Sequence, residues 1–179
     1  MAESKETTRV MLWTISRSLS TVFTKCLSYV EDIQIINEPF NVANSCGPER
    51  LRADGTQIQQ IWDAMIAKAS SIPGCTGYDV NLSTYDWVQK LLERDYPQKQ
   101  TIFCKDFAFA LRGKYDVIPR GYRHTFLIRD PRKVFTSCKK LWVKLLQDDS
   151  FQFRDLPAFL MNPPKCAFGE LYDLYLWVR

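Results

Sequence analysis

VMLWTISRSLSTVF, residues 10–23, decides the reading of the fold. Val10–Trp13 is a short continuous apolar run, the pattern of a strand covered on both faces of a parallel sheet. Thr14, Ile15, Ser16, Arg17, Ser18, Leu19, Ser20 and Thr21 follow as a hydroxyl-rich turn with one cation. From Ser20 the spacing becomes helical. Val22, Phe23, Cys26, Leu27 and Val30 share one face, which predicts a helix over Ser20–Val30 buried along that face. A strand that runs straight into a helix leaves free N–H groups and the positive helix end at the junction, an anion site. Arg17 can hold two anionic oxygens at once, and the hydroxyls beside it can hold others.

A second segment of the same kind lies far downstream, HTFLIRDPRKVFTSCKKL, residues 124–141. Thr125–Ile128 reads as a strand. Asp130 and Pro131 read as an N-cap and first helical residue, and Val134, Cys138, Leu141 and Leu145 as the apolar stripe of the helix. Arg129 ends the strand, and Ser137 follows eight residues later, off the stripe. Lys133, Ser137, Lys140 and Lys144 share one face. An arginine with a hydroxyl on a basic helix face suits a phosphate dianion. Two such junctions imply a ligand with two separated phosphate-like groups.

Ile33–Ile36 and Thr101–Cys104 are further strand-like runs. Ile58, Ile61, Trp62, Met65, Ile66 and Ala69, after an N-cap at Thr56, give another helical stripe. Ser83-x-x-Asp86 reads as a capping box ahead of Trp87, Val88, Leu91 and Leu92. Phe168–Arg179 reads as a final helix. Residues 38–56 and 147–165 read as loop, and residues 1–8 as a flexible terminus. Alternating strands and helices predict one α/β domain over residues 1–179, a three-layer sandwich around a central parallel sheet.

Composition narrows the function. The chain has 179 residues, 46% of them hydrophobic, enough for a real core and too many for a disordered segment. A net charge of +4 suits an anionic small ligand and is sparse for a nucleic-acid binder. No signal peptide and no membrane-spanning run is visible, and six scattered cysteines without a CxxC pair fit a reduced, cytoplasmic chain. His124 is the only histidine, which argues against a zinc site and against a Ser-His-Asp triad; no metal is expected. No Cys-x5-Arg phosphatase loop is present. The turn at residues 14–21 lacks the glycine and lysine of GxxxxGK[ST], which disfavours ATP or GTP hydrolysis.

Taken together, the two junctions resemble the donor-binding motifs of sulfotransferases that use 3′-phosphoadenosine 5′-phosphosulfate. The resemblance covers residues 9–40 and 101–146. It implies a P-loop nucleoside triphosphate hydrolase-like fold and sulfuryl transfer to a hydroxyl or amine of a small-molecule or carbohydrate acceptor. It assigns Ser16, Arg17, Ser18, Leu19, Ser20 and Thr21 to the 5′-phosphosulfate, and Arg129 and Ser137 to the 3′-phosphate. Arg17 would also stabilise charge on the leaving phosphate. Many members have glycine where Leu19 stands. Leucine tolerates positive φ poorly, so the turn is expected not to need it.

Many cytosolic members carry a catalytic histidine after a Lys-Thr pair. The comparable string here is Cys104-Lys105-Asp106-Phe107, with phenylalanine at the histidine place. Two carboxylates stand as alternative bases: Glu38 after the second strand, and Asp106, expected just beyond the third. Trehalose-type sulfotransferases place a base glutamate in a segment similar to Asn37-Glu38-Pro39-Phe40, which favours Glu38. Trp62, Tyr78, Tyr85 and Trp87 are candidate acceptor walls, although such aromatics are more often core. Members of the family continue past the 3′-phosphate helix into a glycine- and lysine-containing closing loop. After Leu141 this chain has one glycine, Gly169, and its last lysine is Lys165. It therefore reads as C-terminally truncated, with weak donor binding and little turnover expected. Two other readings remain at this point: a small-molecule kinase and a non-catalytic nucleotide-binding fragment.

Overall fold

The structure is a computed structural model that describes residues 7–50, 79–146 and 167–179. The elements are strand β1 (Thr8–Thr14), helix α1 (Ser20–Leu27), strand β2 (Ile33–Asn37), helix α2 (Pro39–Ser45) and helix α3 (Tyr85–Glu93). There follow strand β3 (Thr101–Phe107), 3-10 turns at Ala108–Leu111 and Tyr115–Val117, strand β4 (Arg123–Leu127), helix α4 (Pro131–Leu146) and helix α5 (Phe168–Val178). The helix expected at Ile58–Ala69, the side chains of Trp62 and Tyr78, and the loop expected at 147–165 lie outside the described residues. No described helix is long and apolar enough to cross a membrane.

The strands form one parallel sheet in the order β2-β3-β1-β4. β1 is central: Thr14 lies in register with Phe107 of β3 and with Leu127 of β4. β3 also pairs with β2, placing Asn37 beside Lys105. Both faces of the sheet are covered, as the continuous apolar runs predict. On one face Met11, Trp13, Ile15, Ile36, Ile102 and Cys104 join Phe40 of α2, Val88 and Leu92 of α3, Val134 and Cys138 of α4, and Leu171 and Leu174 of α5. On the other face a smaller cluster of Leu12, Ile35 and Phe103 packs with Leu27 of α1. The result is an α/β fold, a parallel sheet flanked by helices in an arrangement compatible with three layers.

Several local expectations need correction. Thr8, read as part of the flexible terminus, belongs to β1, its N–H donating to Gln100 O at 2.9 Å. β3 continues three residues beyond Cys104 and takes Asp106 inside the strand. β4 stops at Leu127, leaving Ile128 69% exposed. Residues 39–45, read as loop, form α2, started by Pro39 at its first position. The cap of α3 is Thr84 rather than Ser83: Thr84 Oγ1 accepts from Trp87 N at 3.1 Å, while Ser83 Oγ donates to Asp79 O.

The face of α1 is the largest correction. The helix ends at Leu27, and the residues it buries are Ser20 and Thr24. Val22, Phe23, Cys26 and Val30 are exposed. Thr24 can be buried because its hydroxyl donates to Ser20 O at 2.9 Å, leaving no orphan donor. Most of the apolar stripe is turned outward, and Leu27 of it keeps a place against the smaller cluster. Phe23 keeps an edge contact with Phe103, centroids 6.0 Å apart.

His124 is tied into the larger core. The Trp13 indole N–H donates to His124 Nδ1 at 3.0 Å, and the two rings stack. Burial pushes the imidazole below its ordinary 6.5. A depressed histidine contributes stability above 6.5 that is lost as pH falls through the folded-state value. Proton NMR of this single imidazole should give a midpoint below 6.5; a midpoint at or above 6.5 would contradict the buried, acceptor role of Nδ1.

Candidate functional site

Because the strands are parallel, their following segments all emerge at one edge of the sheet. Thr14 anchors the turn after β1. It is wholly buried, and its Oγ1 lies 3.0 Å from Leu127 O and 2.5 Å from Ser18 Oγ. One hydroxyl carries one hydrogen, so donation to Leu127 O makes Ser18 the donor to Thr14. This pair folds the turn back over the ends of β1 and β4. Arg17 and Leu19 both adopt left-handed backbone, with φ of 65° and 70°. The turn therefore does use positive φ at Leu19, contrary to expectation. Each such non-glycine residue costs about 1–2 kcal/mol and is held by its surroundings.

No side chain caps α1, so its first-turn N–H groups remain available at the turn. Ser20 is buried at the helix start, Ser16 is half-buried, and Thr21 and Arg17 are exposed. The Arg17 Nε donates to Ser137 Oγ at 3.0 Å. Arg129 Nη1 donates to the Arg17 carbonyl at 3.0 Å. The two junctions, read as separate sites, thus meet in direct contact. Arg17 and Ser137 touch although 120 positions apart.

Beyond them an open depression of about 550 Å³ is lined by Arg129, Asp130, Arg132, Lys133, Thr136, Ser137 and Lys140. Asp130 caps α4 as expected, its Oδ1 accepting from Arg132 N at 2.9 Å. The Arg132 side chain and N–H hold its carboxyl below the usual carboxylate range.

The carboxylates at this edge play unlike parts. Glu38 follows β2 with φ 60° and is slightly exposed, its side chain at 14%. One oxygen accepts from the buried Lys105 ammonium, and the other from Asn41 Nδ2 at 3.0 Å. Lys105 also lies over the Phe107 ring, 3.7 Å from its centroid. Asp106 is wholly buried. Its carboxylate accepts from Phe40 N (2.6 Å), Asn41 N (3.2 Å) and Phe107 N (2.8 Å), and so caps α2 from across the sheet. It pairs with neither Lys105 nor Arg129. Burial pushes its carboxyl up to about 8, against the pull of the Phe107 N–H. A carboxyl raised in the fold costs stability as pH climbs from about 4 to about 8, opposite in sense to His124.

Sequence reading missed the burial of Lys105 and the parts of Asn41 and Thr14. A signal existed: Lys105 and Asp106 interrupt an apolar run that resumes at Phe107. Tyr85 and Trp87, considered as acceptor walls, belong to the core side of α3. Tyr85 is 2% exposed and donates to Ala110 O at 2.6 Å, and burial pushes its phenol up to about 12. Trp87 packs against the same cluster.

No protein-family model matches the chain, and no curated protein or solved structure does either.

The cap assignment has a direct test. Asp106→Ala orphans three backbone N–H groups and should destabilise the protein by about 3 kcal/mol or more in urea unfolding, since each buried orphan costs about 1–3 kcal/mol. A variant within 1 kcal/mol of the parent on the same scale would contradict the cap.

Proposed function

We propose that this chain is a sulfotransferase-like protein of P-loop type that binds 3′-phosphoadenosine 5′-phosphosulfate and transfers its sulfuryl group to a hydroxyl or amine. A cytoplasmic site of action belongs to the same reading. The observation that carries it is the Arg17–Ser137 hydrogen bond, with Arg129 on the Arg17 carbonyl. The 3′- and 5′-phosphates of this nucleotide stand on one ribose, so their two donor sets must lie side by side. A linear triphosphate has no such requirement. The turn after β1 also lacks the glycine and lysine of a nucleoside-triphosphate loop.

The residues present fit the donor chemically. Arg17, the uncapped N–H groups of α1 and the hydroxyls of Ser16 and Thr21 suit the 5′-phosphosulfate. Ser18 and Leu19 shape that turn. Arg129 and Ser137 suit the 3′-phosphate dianion. In the proposed step an acceptor oxygen or nitrogen attacks sulfur. The bond from sulfur to the bridging phosphate oxygen breaks, and its electron pair leaves with 3′-phosphoadenosine 5′-phosphate. Arg17 stabilises the charge that develops there.

Glu38 takes the acceptor proton. Of the two acidic residues it is the one with a partly exposed side chain, held in place by Lys105 and Asn41. Asp106 acts as a positioning residue: it fixes the start of α2 directly after Glu38. β3 separates β1 from β2, so their carboxyl ends stand roughly 10 Å apart, which leaves room for a reacting group between Arg17 and Glu38.

Calorimetry tests the donor assignment. Arg129→Ala should cost 3′-phosphoadenosine 5′-phosphate about 1.5–3 kcal/mol of binding and leave adenosine 5′-phosphate nearly unchanged. Equal losses for the two nucleotides would sink it. For the chemistry, Glu38→Gln should keep nucleotide affinity and lower sulfuryl transfer on the order of a hundredfold. Unaltered turnover in that variant would remove Glu38 as the base.

A further inference from the structure

We infer that the outer face of α4 is a binding track for a linear acidic polysaccharide, a site that borders the proposed nucleotide site at Ser137 and extends beyond it to Lys144. The starting point is where the charge of the chain sits. Residues 131–146 hold five cations, Arg132, Lys133, Lys139, Lys140 and Lys144, and no acid. The whole chain has 24 cations and 20 acids, so without α4 the balance is 19 against 20, a net −1. The basic character of this protein is therefore the property of one helix.

Most of these cations have no acidic partner among the described residues. Val134 and Cys138 are the core side of α4. Arg132, Lys133, Thr136, Lys140 and Lys144 are exposed on the other side, with Ser137 half-buried among them. Arg132 pairs with Asp130; among the described residues Lys133, Lys140 and Lys144 form no salt bridge. A row of like charges on one helix is destabilising in itself, so it needs a counter-charge. One 3′-phosphate at Arg129 and Ser137 supplies too little of it. The row spans roughly 16 Å from Lys133 to Lys144, and Lys144 lies about 10 Å beyond Ser137 along the axis.

The character of the strip selects the polyanion. A membrane surface needs large apolar side chains beside the cations, and none of the exposed large hydrophobic residues lies on the described part of α4. Single-stranded nucleic acid needs exposed aromatic platforms, and among the described residues the exposed strip has none. Hydroxyls do alternate with the cations: Thr136 and Ser137 stand between Lys133 and Lys140. Ammonium groups spaced along a line, with hydroxyls between them, match a chain of hydroxylated rings bearing sulfate or carboxylate groups.

The experiment titrates the 179-residue chain with a size-fractionated heparin oligosaccharide at two salt concentrations. Binding should weaken with salt, as ion release requires. Lys140→Ala with Lys144→Ala should lower heparin affinity about tenfold or more. The Lys140→Arg, Lys144→Arg pair should retain it. Lys144→Ala alone, about 10 Å beyond Ser137, should weaken heparin and leave affinity for 3′-phosphoadenosine 5′-phosphate within about twofold, which separates the far end of this track from the nucleotide site. Lys90→Ala, on α3, should change nothing. Four outcomes would overturn the inference: no heparin binding at physiological salt, an equal loss from Lys90→Ala, an unchanged alanine pair, or tighter binding of polyglutamate, single-stranded DNA or anionic phospholipid vesicles than of heparin.

Discussion

Parallel pairing of β1 with β3 on one side and β4 on the other is the constraint on which the rest of the structure depends. Strands that run the same way release their chains at the same edge. Arg17, Glu38 and Arg129 follow three different strands, and Asp106 is the next-to-last residue of the fourth, yet all stand along that edge. The chain leaves β1 toward the β2 side and later crosses back to β4. Ligands of open α/β sheets bind outside the carboxyl ends of strands at such a reversal.

Unfavourable terms accumulate at this edge. Arg17, Leu19 and Glu38 carry left-handed backbone without being glycine. Lys105 and Asp106 are wholly buried ionisable groups. Each is tolerated because it has partners: Thr14 and Ser18 hold the turn, Glu38 meets Lys105, and three N–H groups meet Asp106. Burying such groups unpaired would cost several kcal/mol apiece. A fold that needed only stability would gain from apolar residues here. Left-handed backbone also occurs elsewhere, at Asp32 and Arg112, but the wholly buried Lys105 and Asp106 stand where strands deliver their loops, which fits a site shaped for a ligand.

The sheet was legible in the sequence because buried parallel strands are written as unbroken apolar runs; Val10–Trp13 and Ile33–Ile36 sit inside β1 and β2 as read. The cap at Asp130 and Pro131 was legible because its hydrogen bond is local. What failed depended on packing partners remote in sequence. Helical periodicity gives α1 an apolar stripe but cannot say which side chains become buried, and those are Ser20 and Thr24. Asp106 looks like a free carboxylate until α2, 65 positions away, lays its N–H groups on it. Both strand-to-helix junctions were visible as strings. That they touch follows from β4 lying beside β1, a neighbour relation no local pattern contains.

The central claim is that Arg17, Ser137 and Arg129 form one site for a nucleotide phosphorylated at both the 3′ and 5′ positions. Thermal unfolding with three ligands tests it most directly: 3′-phosphoadenosine 5′-phosphate, adenosine 5′-phosphate, and ATP with magnesium. The account predicts selective stabilisation by the first, about 2.7 kcal/mol at a hundred times its dissociation constant. Stabilisation by ATP with magnesium equal to or greater than that of the 3′-phosphorylated nucleotide would contradict it.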